Sequence, residues 1–258
     1  MNTYFQILPL KQWLPEKEKK IIIAGPCSAE TEKQLLSTAK AIALINKIHI
    51  FRAGIWKPRT RPSTFQGIGE KGLLWLNNVK KKYQLKVITE IAIPKHLELC
   101  LKYNIDMVWI GAKTTTNPFA VQALADALKG VDIPVWIKNP VIPDFQLWLG
   151  ALERINLAGI NKLGTIFRGF FPFYNTKYRN YIDWKIINTL QTKIPNLPIL
   201  IDPSHIGGNT KWINTIMHIF KNKNINGWMI ESHIKPDSAL SDKNQQITPE
   251  YLKKLFYV

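Results

Sequence analysis

The chain has 258 residues, 46% hydrophobic and 21% charged, with a formal net charge of +17. That length and balance allow one domain with a sizeable core, and no apolar run approaches the roughly 20 residues of a membrane-spanning helix. Two cysteines in so long a chain exclude a disulfide scaffold and point to a reducing, cytoplasmic setting.

Residues 1–15 mix polar and apolar side chains without a basic start and apolar core, so no secretory signal is expected. About 20 residues form a short N-terminal extension. Apolar runs at 21–25, 48–51, 85–89, 107–111, 134–137, 162–167, 197–201 and 227–230 then read as strands. Helical patterns follow them at 30–45, 72–83, 94–103, 118–128, 145–157, 184–192, 212–222 and 249–256. Asn117-Pro118 and Thr248-Pro249 each place a capping side chain before a proline at the first helical position. Eight strand–helix units over residues 1–258 predict a single-domain α/β fold, a closed (β/α)₈ TIM barrel. Gly67-Ile68-Gly69-Glu70-Lys71-Gly72 fits G-x-G-x-x-G but follows a polar loop, not a strand. It is read as loop geometry and helix entry, not a dinucleotide site.

The runs end at reactive residues: Cys27, Arg52, Glu90, Lys113, Lys138, Arg168, His205 and Glu231. A parallel barrel gathers its strand C-termini at one mouth, where the active site sits. Cys27, His205 and Glu231 belong to strands one, seven and eight, which neighbour one another on closure, and Asp242 lies in the loop beyond. A thiolate, an imidazole and two carboxylates suit a divalent Mn, Fe, Co or Zn ion better than magnesium. Arg52, Lys57, Arg59, Lys113, Lys138 and Arg168 would ring the same mouth and receive phosphate and carboxylate groups. Glu90 fits neither set and is a candidate to support them. Cys100 lies in a helical pattern and is read as a core residue. The basic residues are otherwise dispersed; the runs Lys17/Lys19/Lys20 and Lys80/Lys81/Lys82 lack aromatic platforms. Neither a nucleic acid nor a membrane is expected as partner.

Gly25-Pro26-Cys27-Ser28, Arg52 with Lys57-Pro58-Arg59-Thr60, Gly111-Ala112-Lys113-Thr114-Thr115, Asp202-Pro203-Ser204-His205, Glu231-Ser232-His233 and Ser241-Asp242 occur in that order. From about Pro9 to Pro249 the chain resembles 3-deoxy-D-arabino-heptulosonate 7-phosphate (DAHP) synthases, the first enzymes of the shikimate pathway. It looks most like bacterial forms in which a chorismate mutase domain follows the barrel. The resemblance implies condensation of phosphoenolpyruvate with erythrose 4-phosphate, with a divalent metal on Cys27, His205, Glu231 and Asp242. It assigns phosphoenolpyruvate to Arg52, Lys57, Lys113, Lys138 and Arg168, and erythrose 4-phosphate to Lys57, Pro58, Arg59 and Thr60. Lys57, Cys27 and His205 would then surround the reacting atoms, with Lys57 as proton donor. It also implies a homo-oligomer. With no regulatory segment evident in the sequence, feedback control would be absent or come from a separate mutase or regulatory chain.

Lys113 stands where the family usually has arginine, which keeps the charge but loses the fork. Weaker phosphoenolpyruvate binding with retained chemistry is expected. Phe167 stands where relatives often have histidine, so a polar contact near the site is expected to be lost. The sister 3-deoxy-D-manno-octulosonate 8-phosphate synthases share the barrel and a similar Gly-Pro-Cys start but differ in the Lys-Pro-Arg-Thr loop. They are the nearest alternative, and a non-catalytic anion-binding barrel is a more distant one.

Overall fold

The computed structural model describes residues 5–14 and 20–257. Eight parallel strands close in sequence order, and the last pairs with the first. The strands are β1 (Ile21–Gly25), β2 (Ile50–Arg52), β3 (Lys86–Ile91), β4 (Met107–Ile110), β5 (Val135–Lys138), β6 (Leu163–Phe167), β7 (Ile199–Ile201) and β8 (Gly227–Glu231). The expected barrel is thus the observed one. No helix among the described residues is long and apolar enough to cross a membrane.

Helices cover the strands: α2 (Glu32–Ala43), α3 (Lys71–Tyr83), α4 (Pro94–Lys102), α6 (Pro118–Leu128), α7 (Phe145–Leu157), α8 (Trp184–Lys193), α10 (Ile213–Phe220) and α11 (Pro249–Tyr257). Their starts follow local chemistry. The Asn117 side chain accepts the Phe119 and Ala120 amides, and Thr248 Oγ1 accepts the Tyr251 amide. Three short helices were not foreseen: α1 (Leu10–Trp13), α5 (Ala112–Thr115) and α9 (Pro203–Gly207). They are too short to show a period. The pattern at 212–222 begins instead as a 3₁₀ turn at Thr210–Trp212, because the Asn209 side chain caps the Lys211 amide. β2 starts later than expected because Ile48 is held in a turn by its amide bond to Ile45 O.

Two apolar layers result from the strand period of two. Outward residues join the helices in one core, which includes Cys100, buried as expected. Inward residues form a second core of Ile21, Ile23, Ile50, Ile88, Met107, Trp109, Trp136, Ile166, Leu200 and Met229. Gly164 makes room in it: a Cβ there would lie 2.4 Å from Trp136 Cζ3. The segment before β1 closes the strands' N-terminal end. Leu14 joins the inner core, the Trp13 ring lies 5.5 Å from that of Trp136, and Leu8 N donates to Asn161 O.

One step further along several strands the inward residue changes character. Ile50 is followed by Arg52, Ile88 by Glu90, Trp136 by Lys138, and Met229 by Glu231. The apolar core thus ends in a charged layer at the C-terminal mouth.

Candidate active site

Three candidate ligands meet at the β8–β1 seam. The ligand atoms of Cys27, Glu231 and Asp242 all lie within 4.8 Å of one another. Cys27 and Glu231 are fully buried, and Cys27 Sγ lies 3.3 Å from Asp242 Oδ2. Glu231 accepts from Arg52 Nη2 at 3.1 Å and from Gln245 Nε2 at 2.7 Å. Burial, with Glu231 and Asp242 close by, pushes the Cys27 thiol up to about 12. Burial disfavours the Asp242 carboxylate, but His205, Lys57 and Arg179 outweigh it and hold its pKa far below the usual range. The donor set is therefore two carboxylates beside a thiol that would lose its proton to a cation.

His205, the fourth expected ligand, lies beside that mutually close trio and not within it. Its Nε2 is 3.8 Å from Glu231 Oε1, while its Nδ1 is 2.7 Å from Asp202 Oδ2. Asp202 caps α9 by accepting the His205 amide at 2.9 Å, so one carboxylate both starts the helix and lies against the ring. The same Asp202 Oδ2 accepts Lys138 Nζ at 2.9 Å. Burial works against the Asp202 carboxylate, but His205 and Lys138 hold it well below its ordinary pKa. Burial also lowers the His205 pKa, overriding Asp202. A neutral ring anchored at Nδ1 leaves Nε2 facing the acidic corner, the usual arrangement of a metal-binding histidine.

Above this corner lies a cavity of about 180 Å³. Lys57, Arg59, Lys113, Lys138, Arg168 and Arg179 line it, with Glu90, His205 and Asp242. Two cavities of about 560 and 550 Å³ lie elsewhere, lined by none of these residues, so chemistry rather than size marks the mouth. Arg52 lies beneath, 1% exposed, and stacks 4.9 Å from the Trp109 ring centroid. Its Nη2 is taken by Glu231, but Nε and Nη1 are buried without a partner. Such orphaned donors are costly unless an anion answers them. Arg168, lowered to about 10 by burial, keeps its charge at neutral pH. Its Nη1 donates to Asn180 Oδ1 at 3.0 Å, and its amide to Asn139 Oδ1 at 2.7 Å.

Lys57 joins the two regions, donating from Nζ to Cys27 Sγ at 3.1 Å and to Cys27 O at 3.2 Å. Burial pulls its pKa down, but Cys27, Glu90 and Glu231 together outweigh burial and raise it. Arg59 donates to Ser241 Oγ and to Phe65 O. Lys113 donates to Pro58 O at 2.7 Å and Thr60 Oγ1 at 3.1 Å, so it clamps the loop after β2 as well as lining the cavity. Glu90, left unassigned by sequence, accepts the Trp109 indole N–H at 3.1 Å. Gly111 makes space for it: a Cβ there would lie 2.1 Å from Glu90 Oε1.

The expectation for Phe167 is corrected. Its ring packs outward against Trp148, Phe170 and Phe220, so a histidine in this position would point into the helical layer. Sequence reasoning gave no role to Asp202, Arg179, Asn180, Gln245 or Gln246. Asp202 could have been found by alternation, two residues beyond the inward Leu200. The others lie in irregular loops where no period applies.

Fold and site together define a (β/α)₈ barrel whose mouth joins a cation-lined cavity to a corner of residues that could hold a metal ion. Residues 12–256 match the DAHP synthetase I family model, and the chain belongs to that family. A phospho-2-dehydro-3-deoxyheptonate aldolase of Thermotoga maritima is 33% identical over 234 residues, which span 91% of this chain and 67% of the relative. A crystal structure of a phospho-2-dehydro-3-deoxyheptonate aldolase (DAHP synthase) from Thermotoga maritima superposes with a TM-score of 0.83 at 30% identity, covering 97% of this chain and 74% of that one. A 2-dehydro-3-deoxyphosphooctonate aldolase of Nitratidesulfovibrio vulgaris is 24% identical over 247 residues, covering 87% of this chain and 85% of the relative.

Proposed function

We propose that this protein condenses phosphoenolpyruvate with erythrose 4-phosphate to give DAHP and phosphate, using a divalent metal. The observation that carries this reading is the fully buried Arg52. It is paired to Glu231 on one nitrogen and open on the other two, at a Cys27–Glu231–Asp242 corner whose Asp242 also lines a cavity walled by cations. The family membership and the 33% identical aldolase support it.

A metal held by Cys27, Glu231 and Asp242, with His205 Nε2 as a fourth donor, would supply a Lewis acid toward the sugar aldehyde. The chain's own groups do the rest. Arg52, Lys113, Lys138 and Arg168 grip the carboxylate and phosphate of phosphoenolpyruvate. The loop Lys57-Pro58-Arg59-Thr60 takes the sugar phosphate. Holding two anions side by side is itself a large part of the rate. Phosphoenolpyruvate C3 bonds to the aldehyde carbon, and Lys57 gives its proton to the new alkoxide oxygen. Positive charge develops at C2 and water adds there with loss of a proton. The C2–O bond to phosphate then breaks.

The phosphooctonate aldolases offer the second reading, because their similarity covers most of the chain. One assay separates the two. Purified protein is given phosphoenolpyruvate with erythrose 4-phosphate and arabinose 5-phosphate in competition, before and after chelation. Preference for the four-carbon sugar, abolished by chelator and restored by divalent metal, is expected. Preference for the pentose, or full turnover after complete chelation, would overturn the substrate or the metal part respectively.

A further inference from the structure

Gln245 and Gln246 lie at the end of the 3₁₀ turn Lys243–Gln245, 1% exposed each. Between them they touch every element that carries the ligand trio. Gln245 Nε2 donates to Glu231 Oε2 at 2.7 Å, and its Oε1 accepts Arg179 Nη1 at 2.8 Å. Arg179 Nη1 also lies 3.3 Å from Asp242 Oδ1. Gln246 Oε1 accepts the Cys27 backbone amide at 2.8 Å, and its Nε2 donates to Ser241 O at 2.8 Å. The first residue thus orients one carboxylate and steadies a second through Arg179. The second residue ties the backbone of the thiol ligand to the residue before Asp242.

The backbone shows why such a tie is needed. Asp242 sits at φ 46°, ψ 39°, the left-handed region that a residue with a side chain enters at a cost. The bonds from Gln245 N to Asp242 O and from Gln246 Nε2 to Ser241 O hold the chain there from both sides. The next residue, Ile247, donates to Glu231 O and accepts from His233 N, which fixes the pair to the end of β8.

We infer that Gln245 and Gln246 are a paired positioning device that sets the geometry of the Cys27–Glu231–Asp242 metal corner. The inference rests on the metal reading proposed above. An amide suits the role, since it donates to one group and accepts from another without adding charge beside two carboxylates. Groups that orient metal ligands in this way are commonly worth 10–100-fold in affinity.

The test uses the full chain with Co²⁺ as probe, read by chelator competition and by the thiolate-to-Co²⁺ charge-transfer absorption, alongside thermal unfolding of metal-free protein. Gln245→Met should weaken Co²⁺ binding about 10–100-fold and keep the band. Gln246→Met should weaken binding as much and also shift or diminish the band, because it frees the backbone of Cys27. A residue that served only the fold would lower the metal-free unfolding midpoint and leave affinity and band alone. Should Gln246→Met fail to fold, Gln246→Asn takes its place; one methylene short, it cannot reach both backbones and must also bind Co²⁺ more weakly. Wild-type affinity and band in the folded variants would overturn the inference while leaving the metal reading intact. A wild-type protein that binds no Co²⁺ would sink both.

Discussion

At the β8–β1 side of the mouth each candidate ligand lies against another protein group: Glu231 against Arg52 and Gln245, Cys27 against Lys57 and Gln246, His205 against Asp202. On the side formed by β2 to β6 the cations face a cavity, and Arg52 keeps two nitrogens without a partner. The corner is organised before anything binds, whereas the cradle is completed by its ligand. The difference follows from charge. A soft, partly acidic cluster can be neutralised by the arginine and lysine beside it. A ring of like charges cannot neutralise itself: Lys138 leans on Asp202, Lys113 and Arg168 on neutral oxygens, and Arg52 still keeps two nitrogens for an anion.

Substitutions at four positions would break or sharpen that contrast. Lys57→Met should have the largest effect, because Lys57 Nζ belongs to both regions. A loss of kcat on the order of 10²–10⁴-fold is expected; an unchanged kcat would remove Lys57 as proton donor. Arg52→Ala comes next, since it strips a fully buried carboxylate of its charged partner. Urea unfolding should show ~3 kcal/mol of lost stability, eased by added metal, and a loss below ~1 kcal/mol would mean Gln245 and His205 suffice.

Lys113 is a milder case because it is exposed and serves the wall of the cradle. Lys113→Ala should raise KM for the sugar phosphate roughly fivefold, about 1 kcal/mol, by releasing the loop at Pro58 and Thr60. Lys113→Arg should lower KM for phosphoenolpyruvate by restoring a forked donor; a rise would refute the expectation. The smallest effect is at His96, stacked on Trp56 with ring centroids 3.8 Å apart beside that loop. Burial lowers its pKa from 6.5 to about 4, so the folded chain favours the neutral ring. Below pH 6.5 the unfolded chain takes up a proton that the folded chain refuses, so stability falls as pH drops from 6.5 toward 4. His96→Phe keeps a stacking ring and should flatten that part of the urea-midpoint profile; an unaltered slope would assign it to other groups.

The barrel was legible because eight buried runs alternate with helical patterns, and β1 matches its predicted bounds, as do α6 and α7. The cation ring was legible because arginine and lysine at strand ends have few other uses. The choice of which cations remain free was not. Lys113 looks like any cradle residue in sequence, yet its ammonium also holds the loop at Pro58 and Thr60 while lining the cavity. Phe167 looked like a lost polar contact, yet the strand turns it outward.

By itself the sequence determined which chemistry is available and which strand ends carry it, since period-two burial and strand count depend on local pattern. Only the tertiary structure decided which of those groups meet. The trio within 4.8 Å joins β1, β8 and the loop beyond it, and the amides of Gln245 and Gln246 bind across it. Neutral amides in an irregular loop carry no charge or period to betray them, and contacts more than 200 residues apart in the chain form only when the barrel closes.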